Sequence, residues 1–180
     1  MIEFYGAIFT IIIGAMLHFT YEWSDRSLWI AFVAPTNESV FEHLKLLMTP
    51  FLLWTLHEYV RYGQFIKSFI PAKTAGLLAG MLFMVLLFYA YTTLGGKNDL
   101  AVDILLFIGS VVTAFAVSHA LRPVSWLGFF AVRLTAKAVL LILAAAFAAF
   151  SIYPPRHPLF TSPPGCGRPK FCNKRQRPQK

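Results

Sequence analysis

One pattern recurs along the chain: an apolar run long enough to cross a bilayer, closed by a short polar or Pro/Gly-containing link. Such runs cover Ile2 to Thr20, Leu44 to Val60, Thr74 to Thr93, Leu100 to Leu121 and Phe130 to Tyr153. A helix rises 1.5 Å per residue, so about 20 residues cross the roughly 30 Å of hydrocarbon. Backbone N–H and C=O groups find no water there and must pair within the segment, which selects helices. The sequence therefore predicts an all-α integral membrane helical bundle with about five transmembrane helices. Composition agrees, since 57% of residues are apolar and 13% are charged, about half the charged share usual in a soluble domain. No basic stretch precedes the first run and no A-x-A-like site follows it, so it reads as a retained helix rather than a signal peptide.

The net charge of +8 is not spread over the bundle. Residues 1–153 hold Lys/Arg and Asp/Glu in near balance, whereas residues 154–180 hold basic residues and no acid. The chain thus divides into a transmembrane bundle, 1–153, and a Pro-rich basic tail, 154–180, expected to be irregular. Such a tail is either a solvated end or a contact with anionic headgroups of membrane lipids. Nucleic acid is not an expected partner, because no basic-aromatic module accompanies the charge. Cys166 and Cys172 both lie in the tail. Two thiols are too few for a structural zinc site, leaving a small disulfide or free thiols. Arg61, Lys67, Lys73, Arg122, Arg133 and Lys137 fall on one side of the five-span topology, and Arg26, Lys45 and Lys97 on the other. That bias places the N-terminus in the cytoplasm of a multi-pass protein of the cell membrane, although the tail's own charge argues the reverse.

The densest group of acids and histidines lies between the first two runs. His18 and Glu22 are four apart, so they share a face if the first helix continues; Glu38 and Glu42 repeat that spacing, with His43 adjacent. His18, Glu22, Glu38 and His43 are candidate ligands of a divalent metal ion, with Glu42 as a catalytic general base. Asn37, Ser39 and Lys45 would support such a polar site. The plainer reading is helix capping: Ser39-Val40-Phe41-Glu42 fits a capping box, and Asn37 or Thr36 is also a good cap. Between the two groups, Ser27 to Pro35 is apolar but too short to span, and is expected to be interfacial or re-entrant. Pro50 is expected to perturb the second helix. Gly76 and Gly80 form a G-x-x-x-G face, a candidate homo-oligomer contact. Asp103 and Lys137 lie near enough to span ends to reach the headgroups. Arg61 stands where an H-E-x-x-H site would need its second histidine after His57-Glu58, and phosphate-binding, nucleophile-elbow and dinucleotide motifs do not occur.

The segments H-F-T-Y-E-W-S (His18 to Ser24) and A-P-T-N-E-S-V-F-E-H-L-K (Ala34 to Lys45) resemble a family of small multi-pass membrane proteins of Firmicutes-type bacteria, a domain of unknown function. The resemblance continues through F-Y-A-Y-T-T-L-G (Phe88 to Gly95), D-I-L-L-F (Asp103 to Phe107) and Y-P-P-R-H-P-L-F (Tyr153 to Phe160). It implies a bacterial membrane location and brings no activity with it. After Phe160 the chain departs from the family pattern and turns basic, which removes weight from Cys166, Cys172 and the tail charge. Three functions remain: a non-catalytic membrane protein, a membrane-embedded metal-dependent hydrolase of a lipid or headgroup, and an ion or small-solute transporter subunit with Asp103 or the acidic cluster on its path.

Overall fold

A computed structural model describes residues 2–25, 27–37, 39–95 and 100–160, with the backbone alone at Glu22, Leu28, Gly95 and Pro158. The described chain is helical throughout: α1 (Ile2–Trp23), α2 (Leu28–Ala31), α3 (Val40–Arg61), α4 (Phe69–Gly95), α5 (Leu100–Leu121) and α6 (Phe130–Ile152). Single 3-10 turns occupy Gly63–Phe65, Ser125–Gly128 and Pro158–Phe160. Four of the helices, α1, α4, α5 and α6, are long and apolar enough to cross a membrane. The remaining long helix, α3, matches α5 in length at 22 residues but carries Glu42, His43, Lys45, His57, Glu58 and Arg61. Its polarity goes with its position. Twelve of its residues are buried, against two in α6; Glu42, Lys45 and Glu58 are among the twelve, whereas His57 and Arg61 are exposed. Mid-helix Leu82, Leu86, Leu105, Leu141 and Ile142 are exposed, as the outer face of a helical membrane bundle requires.

Each helix boundary has a local cause. α1 stops where Asp25 takes a left-handed backbone conformation (φ 51°), which Asp tolerates better than most residues. α4 begins at Phe69, earlier than the apolar run suggested, because Pro71 falls in the first turn, where its missing N–H costs nothing. Lys73, expected in a polar connection, therefore lies inside a helix.

Close helix approach rests on small residues. A Cβ at Gly76 would come 2.4 Å from the Ala114 carbonyl oxygen, and one at Gly80 2.6 Å from that of Ser110. Ser110, Ala114 and Ser118 recur every four residues along α5, and this stripe covers the Gly76/Gly80 face. The face expected for a second copy is thus occupied within the chain. On α1, Gly6, Thr10 and Gly14 form a similar stripe. A Cβ at Gly14 would lie 2.6 Å from the Leu46 carbonyl oxygen, the acceptor that Pro50, four residues on, cannot serve. The core between these helices contains Leu47, Phe51, Leu77, Val111, Ala114 and Phe115.

Beyond Pro154-Pro155 the chain turns back, and the Phe160 ring settles 4.5 Å from Phe41, which itself stacks on Phe147 at 4.4 Å. Leu159 and Phe160 supply apolar surface that a count of prolines and basic residues overlooks. Residues 161–180, including Cys166 and Cys172, lie outside the described residues.

Candidate functional site

The polar block closes on itself around the start of α3. Ser39 is the N-cap, and its Oγ accepts the Glu42 N–H at 3.3 Å; Asn37 Oδ1 accepts the Ser39 N–H at 2.8 Å. A full capping box would return the Glu42 carboxylate to the Ser39 N–H. Here Asn37 has taken that donor, and Glu42 Oε2 instead accepts from the Thr36 N–H (2.7 Å) and Thr36 Oγ1 (3.1 Å). The same oxygen pairs with Lys45 Nζ at 2.8 Å, with Lys45 fully buried and Glu42 nearly so. Lys45 also donates to the Ala31 carbonyl at 2.8 Å, and Thr49 Oγ1 donates to the Val33 carbonyl at 2.8 Å. The carbonyls of Ala31, the last residue of α2, and of Val33, two residues beyond it, are thereby held by α3 side chains. Ala34 is wholly buried beneath the hairpin, while Trp29 is exposed on its outer side.

Of the candidate metal ligands, His18 and His43 come together, their rings 5.5 Å apart. His43 Nδ1 lies 3.0 Å from the Ser39 carbonyl. A carbonyl can only accept, so Nδ1 is the donor in this contact. Glu38 and the side chain of Glu22 lie outside the described residues. Among the described residues no three His, Cys, Asp or Glu side chains form a metal-holding group. Asp103 accepts a hydrogen bond from Tyr91, and Lys137 is exposed.

The opposite end of the bundle holds a second polar cluster that the sequence did not announce as one. Glu3 of α1, Glu58 of α3, Lys73 of α4 and Arg122, just beyond α5, converge there. Lys73 Nζ lies 2.8 Å from Glu3 Oε2 and also pairs with Glu58; Arg122 pairs with Glu3 and stands 3.9 Å from Glu58 Oε1. Glu58 is fully buried and Lys73 is 1% exposed. Glu58 Oε2 meets Lys73 as an ion pair without hydrogen-bond alignment, while Tyr62 OH donates to Oε1 at 2.5 Å. Lys73 lies within 6 Å of the Phe51, Phe69 and Phe115 ring centres, and Arg122 over Tyr62 and Phe69, so the cations are held by ring faces as well as by carboxylates. Burial foremost, then the hydrogen bond and charge of Glu58, push the Tyr62 phenol well above its ordinary value of 10.0. Two carboxylates and two cations compensate each other, the usual condition for charge inside a bundle. A cleft of about 380 Å³ opens beside the cluster, between α1 and α3.

The scattered sequence positions of Glu3, Glu58, Lys73 and Arg122 explain why they read separately, three of them as span-end or loop charges. The available signal was one acid or base at the same end of each successive apolar run.

No curated protein and no solved structure gives a match to the chain. A family model does, over residues 3–165, which include the polar block and the Glu3, Glu58, Lys73 and Arg122 cluster. The chain therefore belongs to that family, the family of unknown function DUF6512.

Proposed function

We propose that the protein is a non-catalytic membrane component in which the Ala34–Lys45 block is a latch, fixing the α2 hairpin as a rigid surface at one membrane face. The Glu42–Lys45 pair carries this reading. Glu42 Oε2 already receives Lys45 and both Thr36 donors, so the carboxylate is committed to holding the loop. A general base would have to surrender those bonds. Lys45→Met strands a buried carboxylate, which typically costs about 3–5 kcal/mol. The expected result is early proteolytic cleavage within residues 27–37 and a lower unfolding midpoint in detergent, with Glu42→Gln/Lys45→Met recovering part of the loss.

The His18–His43 approach favours a second reading, a metal-dependent hydrolase acting at the interface. Two imidazoles 5.5 Å apart supply half a ligand set, and Glu22 follows His18 by one helical turn. A bound divalent ion would lower the pKa of water and make a nucleophile there. Metal analysis of the detergent-purified protein separates the two readings. Stoichiometric metal in the wild type, lost in His43→Ala, would replace the latch reading with the hydrolase.

A further inference from the structure

We infer that the cleft between the start of α1 and the end of α3 binds the headgroup of an anionic phospholipid. The inference does not rest on the latch, which lies at the other end of the bundle. Tyr5 of α1 forms one wall, and Trp54, His57 and Arg61 of α3 form the other, all lining the same ≈ 380 Å³ cleft. Spacings of three and four place those three residues on one face of α3. The Trp54 ring lies 5.3 Å from His57 and 5.3 Å from Phe9, giving an aromatic wall of the kind that sits at headgroup level.

Charge selects the occupant. Glu58, the acid at the floor of the cleft, is engaged by Lys73, Tyr62 and Arg122. Arg61 is exposed and makes no ion pair among the described residues. One cation therefore remains at the mouth over a compensated floor. Apolar side chains continue from the cleft toward the middle of both helices: Ile8 and Ile12 on α1 and Leu53 on α3, all exposed. A phosphate at Arg61 and acyl chains along these residues match both halves of the surface, whereas a free anion would use only the first. Basic pockets between membrane helices are established receptors for anionic headgroups.

Native mass spectrometry of the full chain from detergent tests this, with phosphatidylglycerol, phosphatidylcholine of the same acyl chains, and glycerol phosphate as probes. Phosphatidylglycerol should be retained in preference to phosphatidylcholine. Arg61→Gln should reduce that preference about tenfold, the usual weight of one charge-assisted contact, and Lys137→Gln should leave it unchanged. Equal retention of the two lipids, or equal loss in both variants, overturns the inference. Glycerol phosphate binding as well as the lipid does so too, assigning the cleft to a soluble anion. Arg61 is a surface residue, so unaltered phosphatidylcholine retention by Arg61→Gln certifies that the variant is folded.

Discussion

Charge in this protein is buried in compensated groups, and the cost of disturbing one member depends on what is left behind. Lys73→Met leaves buried Glu58 with only the more distant Arg122 as cation, and about 3–5 kcal/mol should be lost. Glu58→Gln/Lys73→Met removes the charge together with its partner and should cost less than Lys73→Met alone. Denaturant unfolding in detergent reads both, and equal losses would show that packing rather than charge holds this end. Tyr62 tests the same cluster through pH. Its phenol is raised above its ordinary value of 10.0 by burial and by Glu58, so it stays protonated in the fold when the unfolded chain has begun to lose the proton. Its stabilising contribution is complete below pH 10 and is lost as pH rises through the folded-state value. Stability of the wild type should therefore fall more steeply above pH 10 than that of Tyr62→Phe, which removes this term and leaves the lysines common to both.

At the level of elements, helix pairing follows from where side chains are missing. Gly76→Ala would press a methyl to 2.4 Å from the Ala114 carbonyl oxygen. Backbone cannot swing aside, so α4 and α5 must separate, at a cost of about 1–3 kcal/mol or more. Gly109→Ala meets the Phe83 ring at 2.9 Å, and a ring can rotate, so the loss there should be smaller. Thermal unfolding of the two variants checks the order. Because the Gly76 face is covered by α5, neither variant should act first on oligomeric state. The turn Pro158–Phe160 should depend on one aromatic contact. Phe160→Ala removes the ring beside Phe41 and Phe150 and is expected to speed proteolysis within residues 154–160 without unfolding α6.

Across the whole molecule, successive long helices alternate in direction, which gathers Arg61, Lys67, Arg122 and Arg133 at the end that holds Glu3. The positive-inside tendency predicts a cytoplasmic location for that end. With Cys166→Ser and Cys172→Ser as background, an impermeant maleimide applied to intact cells should label Trp29→Cys and spare Gln64→Cys until the membrane is opened. The reverse pattern would put the N-terminus outside.

What the sequence determined alone was the class of fold, because five apolar runs in a chain with so few charges admit no soluble core. It also marked Ser39 as a cap, since that signal is local to four residues. It did not give the division of labour among the helices. α3 is the most polar of the long helices, and only packing shows that its Glu42, Lys45 and Glu58 are buried. Nor did it give the partners of charge: Glu3 and Arg122 are separated by most of the bundle in sequence and meet because alternate helices return their ends to one face. The Glu42 carboxylate was legible as a helix-start acid, but its commitment to Thr36 and Lys45 was not, because Asn37 takes the donor that a capping box would use. Periodicity and composition act within one segment, whereas ion pairing, glycine contacts and clefts form between segments, and only the tertiary structure brings those together.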